Sequence, residues 1–248
     1  MPAWICAVIS SQGREGSTGS SGSQPPGLPE NVNASRGAAP GNEGEPPGRR
    51  WTARAVGRFK PVLFLLCLFP VVRWVFLATG PGGLGANPPE FLIRSTGIWA
   101  LVLLWVTLCI TPLRRLLDQP ALLRLRRMLG LFSFFYTVLH VLGWAYWERG
   151  WSLMEMWADI VQRTFIWIGV LATVPMLLLA LTSTRGWMRR LGRGWQRLHA
   201  AIYGIAALSV WHFWLVRSGK VDYREPVAYG LILAVILLAR LIRRRSRA

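Results

Sequence analysis

The sequence predicts an all-α membrane protein, a bundle of six transmembrane helices with both termini in the cytoplasm. Of its 248 residues, 52% are hydrophobic and only 16% are charged. The apolar residues form long unbroken runs, not the alternating pattern of half-buried strands. Only helices and closed barrels satisfy all backbone polar groups inside a bilayer, so continuous runs of this length predict helices.

Six apolar segments follow a polar N-terminal stretch, and each is close to the ~20 residues that a helix needs to cross the hydrocarbon core. They are 59–79, 95–112, 129–147, 164–183, 198–217 and 226–242. Residues 1–50 are rich in Gly, Ser and Pro with few large apolar side chains, so we expect a disordered extension there. Residues 51–248 are expected to form one six-helix transmembrane domain.

Basic residues are concentrated on alternate sides of the predicted spans. Segments 49–60, 114–127, 185–197 and 240–247 together hold twenty Lys and Arg residues, whereas the other three loops hold six basic and six acidic residues. The positive-inside rule therefore places the arginine-rich side in the cytoplasm. In a bacterium the chain would be a multi-pass protein of the cell inner membrane, with the balanced loops in the periplasm. This distribution argues against nucleic acid as the reason for the net charge of +18.

The chain has three histidines, His140, His199 and His212, all in or at the edge of apolar segments. Ionisable side chains inside a membrane usually mark functional sites, and imidazole is an axial ligand of haem iron. At 1.5 Å per residue, His140 lies about 16 Å into span three and His212 about 21 Å into span five, which run in the same direction. Two imidazoles at one depth can bind a haem iron from both faces, which gives a closed centre suited to electron transfer.

The residues alone leave the ligand set open. His140 with His212 is the first candidate pair for the metal. His199, at the cytoplasmic mouth, is an alternative ligand or the ligand of a second haem, for which no fourth histidine exists. On an ideal helix the thirteen-residue spacing turns the rings of His199 and His212 about 140° apart, so a straight span would not direct both at one partner helix. Histidines that only hydrogen-bond across helices are the structural alternative.

Arg73 is the only arginine that lies well inside a predicted span, and by residue count its depth is about that of His212. A guanidinium pairs well with a carboxylate, which makes Arg73 a candidate contact for a haem carboxylate and so part of the cofactor site. The alternative is that its side chain extends to the outer interface, as long cationic side chains do near helix ends.

Several motifs carry a family resemblance. The most specific is RLGRGWQRLH at 190–199, followed thirteen residues after His199 by a second histidine; others are GGLGANP at 82–88, RRMLG at 126–130 and LTSTR at 181–185. In these stretches the chain resembles the MsrQ/YedZ family, the haem-binding membrane subunits of the MsrPQ protein-methionine-sulfoxide reductase system. That family belongs to the ferric-reductase-like transmembrane group. The resemblance covers about residues 55–245 and all six predicted spans.

The resemblance implies that His140, His199 and His212 occupy haem-ligand positions and that the cofactor is haem b, either one or two. It implies an electron-transfer subunit whose partner, a periplasmic molybdopterin-containing MsrP-type reductase, reduces the oxidised methionines. The electron donor would be the quinone pool or a cytosolic flavin reductase, with FMN as a further cofactor. The alternatives are a transmembrane ferric or other metal reductase with the same haem, and a non-redox transporter or structural membrane subunit.

Overall fold

The computed structural model describes residues 53–81, 83–219 and 223–245. The regular elements within these ranges are all helices, which confirms the all-α prediction. The predicted N-terminal extension, residues 1–50, lies outside the described residues.

The helices in chain order are α1 (Ala53–Thr79), α2 (Pro88–Leu116), α3 (Leu123–Gly143), α4 (Leu153–Gln162), α5 (Thr164–Leu181), α6 (Arg185–Leu191), α7 (Arg193–Ala200), α8 (Ile202–Ser218) and α9 (Arg224–Arg245). A 3₁₀ turn, Pro120–Leu122, precedes α3, and a π-helical turn, Trp144–Glu148, extends it.

Five stretches of the described chain are long and apolar enough to cross a membrane. They are Gly57–Thr79, Pro88–Leu116, Pro120–Glu148, Thr164–Leu181 and Arg193–Ser218, and they contain or largely overlap the first five predicted spans. The sixth predicted span, 226–242, is helical as part of α9 but is not among the five. Its crossing of the membrane, and the cytoplasmic position of the termini, stay predictions.

Several helices extend past the predicted apolar segments because their ends are set by capping chemistry. α2 begins at Pro88, well before the predicted start at residue 95. The Asn87 side chain accepts a hydrogen bond from the backbone N–H of Glu90. Proline at the first helical position lacks an N–H that would otherwise have no partner within the helix. The apolar pattern therefore marks only the part of α2 that lies in the hydrocarbon core.

The fifth predicted span is two helices in the structure. α7 begins after Gly192, whose φ of +48° suits glycine, and Ala201 separates α7 from α8. The apolar pattern missed most of α7 because that helix is largely polar. His199 consequently lies on α7 and His212 on α8, on either side of Ala201, whose backbone stays in the right-handed helical region.

The apolar side chains on the outside of the bundle are large and numerous. On α1 alone, Phe59, Leu65, Phe69 and Phe76 are each more than half exposed. Soluble monomers seldom expose apolar patches of this extent, whereas a surface in contact with lipid requires them. The surface therefore agrees with a membrane location.

A buried tyrosine connects α1 to α3. Tyr136 has no exposed surface, and its hydroxyl donates a 2.6 Å hydrogen bond to the backbone carbonyl of Cys67 on α1. Trp74 and Trp99 pack against its ring. The acceptor lies one helical turn before Pro70, which has no N–H and so interrupts the backbone hydrogen bonding of α1. Tyr136 thus fastens α1 to the bundle where a proline interrupts the helix.

Replacing Tyr136 with Phe should lower the free energy of unfolding by about 1 kcal/mol, since a buried hydrogen bond is lost while the ring still fills its site. The measurement is denaturant unfolding in detergent. The control is Tyr146→Phe, because the Tyr146 ring is half exposed, and its effect should stay below about 0.5 kcal/mol. Equal losses in the two variants would contradict a specific role for the bond to Cys67.

Candidate functional site

A largely apolar cavity lies between α2, α3, α5 and α8, and both His140 and His212 line it. The centroids of the two imidazole rings are 6.2 Å apart, and the ring planes make an angle of 85°. The structure therefore brings together the two histidines that sequence analysis paired by depth.

Each imidazole is held by a backbone carbonyl of a neighbouring helix. Nδ1 of His140 lies 2.8 Å from the carbonyl oxygen of Ile93 on α2, and Nδ1 of His212 lies 2.6 Å from that of Phe165 on α5. Because a carbonyl oxygen only accepts hydrogen bonds, Nδ1 is the protonated nitrogen and Nε2 keeps its lone pair. Metal-binding histidines are commonly oriented by a hydrogen bond of this kind.

A glycine faces each of these two imidazoles. A Cβ atom placed on Gly97 would lie 3.1 Å from Nδ1 of His140, and one on Gly169 would lie 3.0 Å from Nδ1 of His212. Each glycine is one helical turn after the residue whose carbonyl accepts the hydrogen bond. The missing side chain is therefore what allows each ring to approach the neighbouring backbone closely enough to donate to it.

The two halves of the cavity repeat one another with a constant spacing. Corresponding residues lie 72 positions apart, and the pairs are Ile93 and Phe165, Gly97 and Gly169, Ala100 and Ala172, Leu104 and Met176, Thr137 and Ser209, and His140 and His212. The helix pair α2 and α3 thus supplies one half of the site, and α5 and α8 supply the other. This equal glycine-to-histidine spacing is a signal in the sequence that would have identified both glycines, to which sequence analysis gave no role.

The separation of the rings fits one metal ion between them. A metal–nitrogen bond to imidazole is about 2 Å and the ring centre lies roughly 1.2 Å behind the nitrogen, so opposed ligands have centroids about 6.3 Å apart. The observed 6.2 Å agrees with this value. The described residues contain no group of three or more His, Cys, Asp or Glu side chains that could hold a metal ion. Haem would need only these two side-chain ligands, since its porphyrin provides the others, so the histidine pair fits a haem iron.

His199 lies in a second cavity on the α7 side of the first. Leu104 and Met176 line both cavities and so form part of the wall between them. The His199 ring stacks on Trp195 with centroids 3.9 Å apart, and its Nδ1 lies 3.2 Å from the Trp195 carbonyl oxygen. Nε2 of His199 is buried, and no hydrogen-bond partner for it exists among the described residues.

Arg127 lies 72 positions before His199, so it is the residue that corresponds to His199 in the other half of the repeat. Both residues line the second cavity, together with Arg126. Arginine stays protonated and offers no lone pair, so it cannot bind a metal ion. The second cavity, as far as the structure describes its walls, therefore has one histidine and two arginines in place of a histidine pair.

The structure does not bring Arg73 to either cavity. Arg73, on α1, is exposed and lines neither of the two cavities. Counting residues gave Arg73 a depth close to that of His212, but depth along a helix does not determine which side of the bundle a residue faces. α1 packs mainly against α3, outside the four helices that enclose the first cavity.

Two arginines that sequence analysis counted only as loop charges, Arg94 on α2 and Arg217 on α8, line the first cavity. Both contact Glu225 at the start of α9: Nη2 of Arg94 lies 3.0 and 2.9 Å from its two carboxylate oxygens, and Nη2 of Arg217 lies 2.5 Å from one of them. The hydrogen bond from Arg217, with a smaller contribution from Arg94, lowers the pKa of the Glu225 carboxyl against the opposing effect of burial. Glu225 is therefore ionised at neutral pH, and which loop charges turn toward the cavity was not readable from the sequence.

The comparisons with known proteins agree with this architecture. Residues 96–210 match the family model described as the ferric reductase like transmembrane component. The chain is 53% identical over 191 residues to the protein-methionine-sulfoxide reductase heme-binding subunit MsrQ of Bordetella pertussis, which covers 77% of this chain and 92% of that protein. The proteins of the same name from Herminiimonas arsenicoxydans and Xanthomonas campestris are 47% and 45% identical over 182 and 174 residues, covering 73% and 70% of this chain and 83% and 78% of those proteins.

A relative of this identity, matched over 92% of its own length, shows the family. The chain therefore belongs to the family of MsrQ, the heme-binding subunit of protein-methionine-sulfoxide reductase, which is ferric-reductase-like in its transmembrane domain.

Proposed function

We propose that this protein is an electron-transfer subunit that holds one haem b between His140 and His212. It passes electrons outward across a bacterial inner membrane to a periplasmic molybdopterin-containing methionine sulfoxide reductase, which repairs oxidised proteins. The observation that carries the proposal is the 6.2 Å separation of two imidazoles, each held at Nδ1 by a carbonyl. Haem, when bound, supplies reversible one-electron chemistry.

The side chains of the chain orient the two ligands and exclude water. The hydrogen bonds to Ile93 and Phe165 fix the tautomer in which Nε2 carries the lone pair, and they raise the basicity of that nitrogen. Haem held by both His140 and His212 would be suited to electron transfer rather than to oxygen chemistry. The apolar residues of the cavity wall, such as Leu101 and Ala172, keep solvent away from the iron ligands.

A single haem is the stoichiometry that the repeat supports. The first cavity has a histidine in both halves, whereas the second has His199 in one half and Arg127 in the other. Since Arg127 cannot bind iron, the second cavity lacks a second protein ligand of the kind present in the first. We therefore expect one low-spin haem per chain.

The second cavity is the proposed site of electron entry. Its wall is mainly apolar, with Leu123, Phe134 and Ile202 among its members, which suits a quinol from the lipid phase. The unpartnered Nε2 of His199 can accept a hydrogen bond from a quinol hydroxyl and take its proton as electrons leave. Electron delivery by a cytosolic flavin reductase is the alternative, and the next experiment distinguishes it from delivery by a quinol.

His199→Ala should retain the haem and its spectrum but slow reduction by a quinol analogue by about a hundredfold, because a general base is typically worth that much or more. The measurement is stopped-flow absorbance of haem reduction in detergent, with dithionite reduction as the control that should not change. Loss of haem from His199→Ala would contradict the assignment of the ligands. A normal quinol rate in the variant would contradict the role of His199, and failure of the quinol analogue to reduce the wild type would favour electron entry from the flavin reductase.

The direction of transfer follows from the arginine-rich loops, which the positive-inside rule places in the cytoplasm. On that basis the second cavity faces the cytoplasm, and the mouth of the first cavity faces the periplasm. The test is a reduced-minus-oxidised absorption spectrum of the purified protein with haem quantification, followed by reoxidation with the purified periplasmic reductase. Without a Soret band the transporter or structural alternative holds. Direct reduction of ferric chelates, with no reoxidation by the reductase, would instead establish a metal reductase.

A further inference from the structure

We infer that Arg94 and Arg217 bind the carboxylates of the haem at the mouth of the first cavity, and that Glu225 positions both guanidinium groups for this contact. The inference rests on the proposed haem between His140 and His212 and adds how that haem is oriented. The carboxylate edge would face the end of the bundle where α2 begins and α8 ends.

The location of the two arginines carries the inference. Arg94 is on α2, which holds His140 through Ile93, and Arg217 is on α8, the helix of His212. Among the described residues that line the first cavity, these two are the arginines, and lysine is absent. Both lie toward the same end, whereas the opposite end borders the second cavity through Leu104 and Met176.

Burial strengthens the argument for Arg217 in particular. Its side chain is only 8% exposed although it lies near the end of its helix, where a long cationic side chain normally extends to water. Holding a guanidinium inside is costly unless carboxylates surround it. Glu225 supplies one carboxylate, which contacts Nη2 of each arginine. A haem carboxylate that reaches the mouth would supply a second one.

The charge at the mouth is mixed. Glu90 and Glu148 also line this end of the cavity, and Glu225 lies behind the arginines. Glu90 and Glu148 are exposed, so solvent screens their repulsion of a bound carboxylate. Arg217 is not screened in this way because it is buried. The nearest strong interaction for a carboxylate that reaches the cavity is therefore the guanidinium pair.

The carboxylates are the part of haem that most needs such partners. An ionised carboxylate in an apolar membrane interior is strongly disfavoured unless it is paired and hydrogen-bonded. Arginine meets this need with two parallel N–H donors in a plane. Arg73 provides a control for the loss of one positive charge, because it lies at a similar depth along its helix but lines neither cavity.

The test compares binding of iron protoporphyrin and of its dimethyl ester, in which both carboxylates are blocked, to the full-length apoprotein in detergent. The wild type should bind the ester about tenfold to a hundredfold more weakly, the equivalent of losing one or two hydrogen bonds to a charged group. In the variant with both R94Q and R217Q this discrimination should disappear, whereas R73Q should keep it. The double variant should also have a lower haem midpoint potential than R73Q, because positive charge near the iron favours the reduced form.

The outcomes separate this inference from the proposed function. Ester binding with wild-type affinity by the double variant would show that the variant is folded and that the histidine pair is intact. Undiminished discrimination by that folded variant would overturn the role of Arg94 and Arg217 and leave the haem site standing. Failure of the wild type to bind either porphyrin, or wild-type binding by His140→Ala, would instead overturn the proposed function.

Discussion

Replacing His140 or His212 with Ala should abolish haem retention in the purified protein. Each side chain would supply one of the two protein ligands in the proposed site, and the ring centroids lie 6.2 Å apart with Nδ1 of each ring hydrogen-bonded to a carbonyl. Losing one ligand removes a metal bond and leaves an apolar cavity open on that face. We expect the Soret absorbance per protein to fall to background in both variants.

The control for these variants is His199→Ala, since His199 lies in the other cavity and should be dispensable for the haem. Adding free imidazole to His140→Ala or His212→Ala should restore part of the absorbance, because the small ligand can enter the space left by the side chain. Full haem content in both alanine variants would refute the ligand assignment. If His199→Ala lost its haem while His212→Ala kept it, His199 would be the haem ligand in place of His212.

Replacing Gly97 or Gly169 with Val should also eliminate haem binding, although neither residue can contact the iron. A Cβ at either position would already lie 3.1 or 3.0 Å from a nitrogen of the facing imidazole. The branched side chain of valine adds two methyl groups to that clash, so the ring must leave its carbonyl and its orientation. Alanine at the same positions forces a smaller shift and should weaken haem binding by about tenfold, or ~1.4 kcal/mol, within the usual cost of overpacking.

Gly204 provides the matched control, because it lies on α8 with nothing within 4 Å of an added Cβ. Gly204→Val should leave haem content unchanged and should not lower helix stability, because valine has a higher helix propensity than glycine. Circular dichroism shows whether each variant keeps its helices. If Gly97→Val and Gly169→Val bind haem as Gly204→Val does, the proposed dependence of the site on close approach of ring and backbone is wrong.

The family of the chain and the helical character of its spans could be predicted from the sequence, because both depend on local patterns. A run of about 20 apolar residues predicts a membrane-spanning helix, because backbone groups in a bilayer have no water to bind and must pair within the segment. The motif around His199 was specific enough to indicate the family. Helix ends were less predictable, since caps such as Asn87 and breaks such as Ala201 act independently of hydropathy.

The surroundings of the side chains at the site were harder to predict from the sequence. Counting residues along the chain gave His140, His212 and Arg73 comparable depths, but depth is one coordinate of three. It could not show that α1 turns Arg73 away from the cavity while α2 and α8 bring Arg94 and Arg217 to it. Nor could a single-helix pattern show that Gly97 and Gly169 face imidazoles on other helices.

The sequence by itself determined that this is a helical membrane protein with three histidines in or at the edge of its apolar segments, because hydrophobic length and residue type are properties of each segment taken alone. Only the tertiary structure decided that His140 and His212 share one cavity, that His199 stands opposite arginines in another, and that Glu225 holds Arg94 and Arg217 together. The physical reason is that a ligand pair, a close approach and an ion pair each depend on the distance between atoms of different helices. Those distances are set by how the helices pack, and the apolar pattern of any one helix does not contain them.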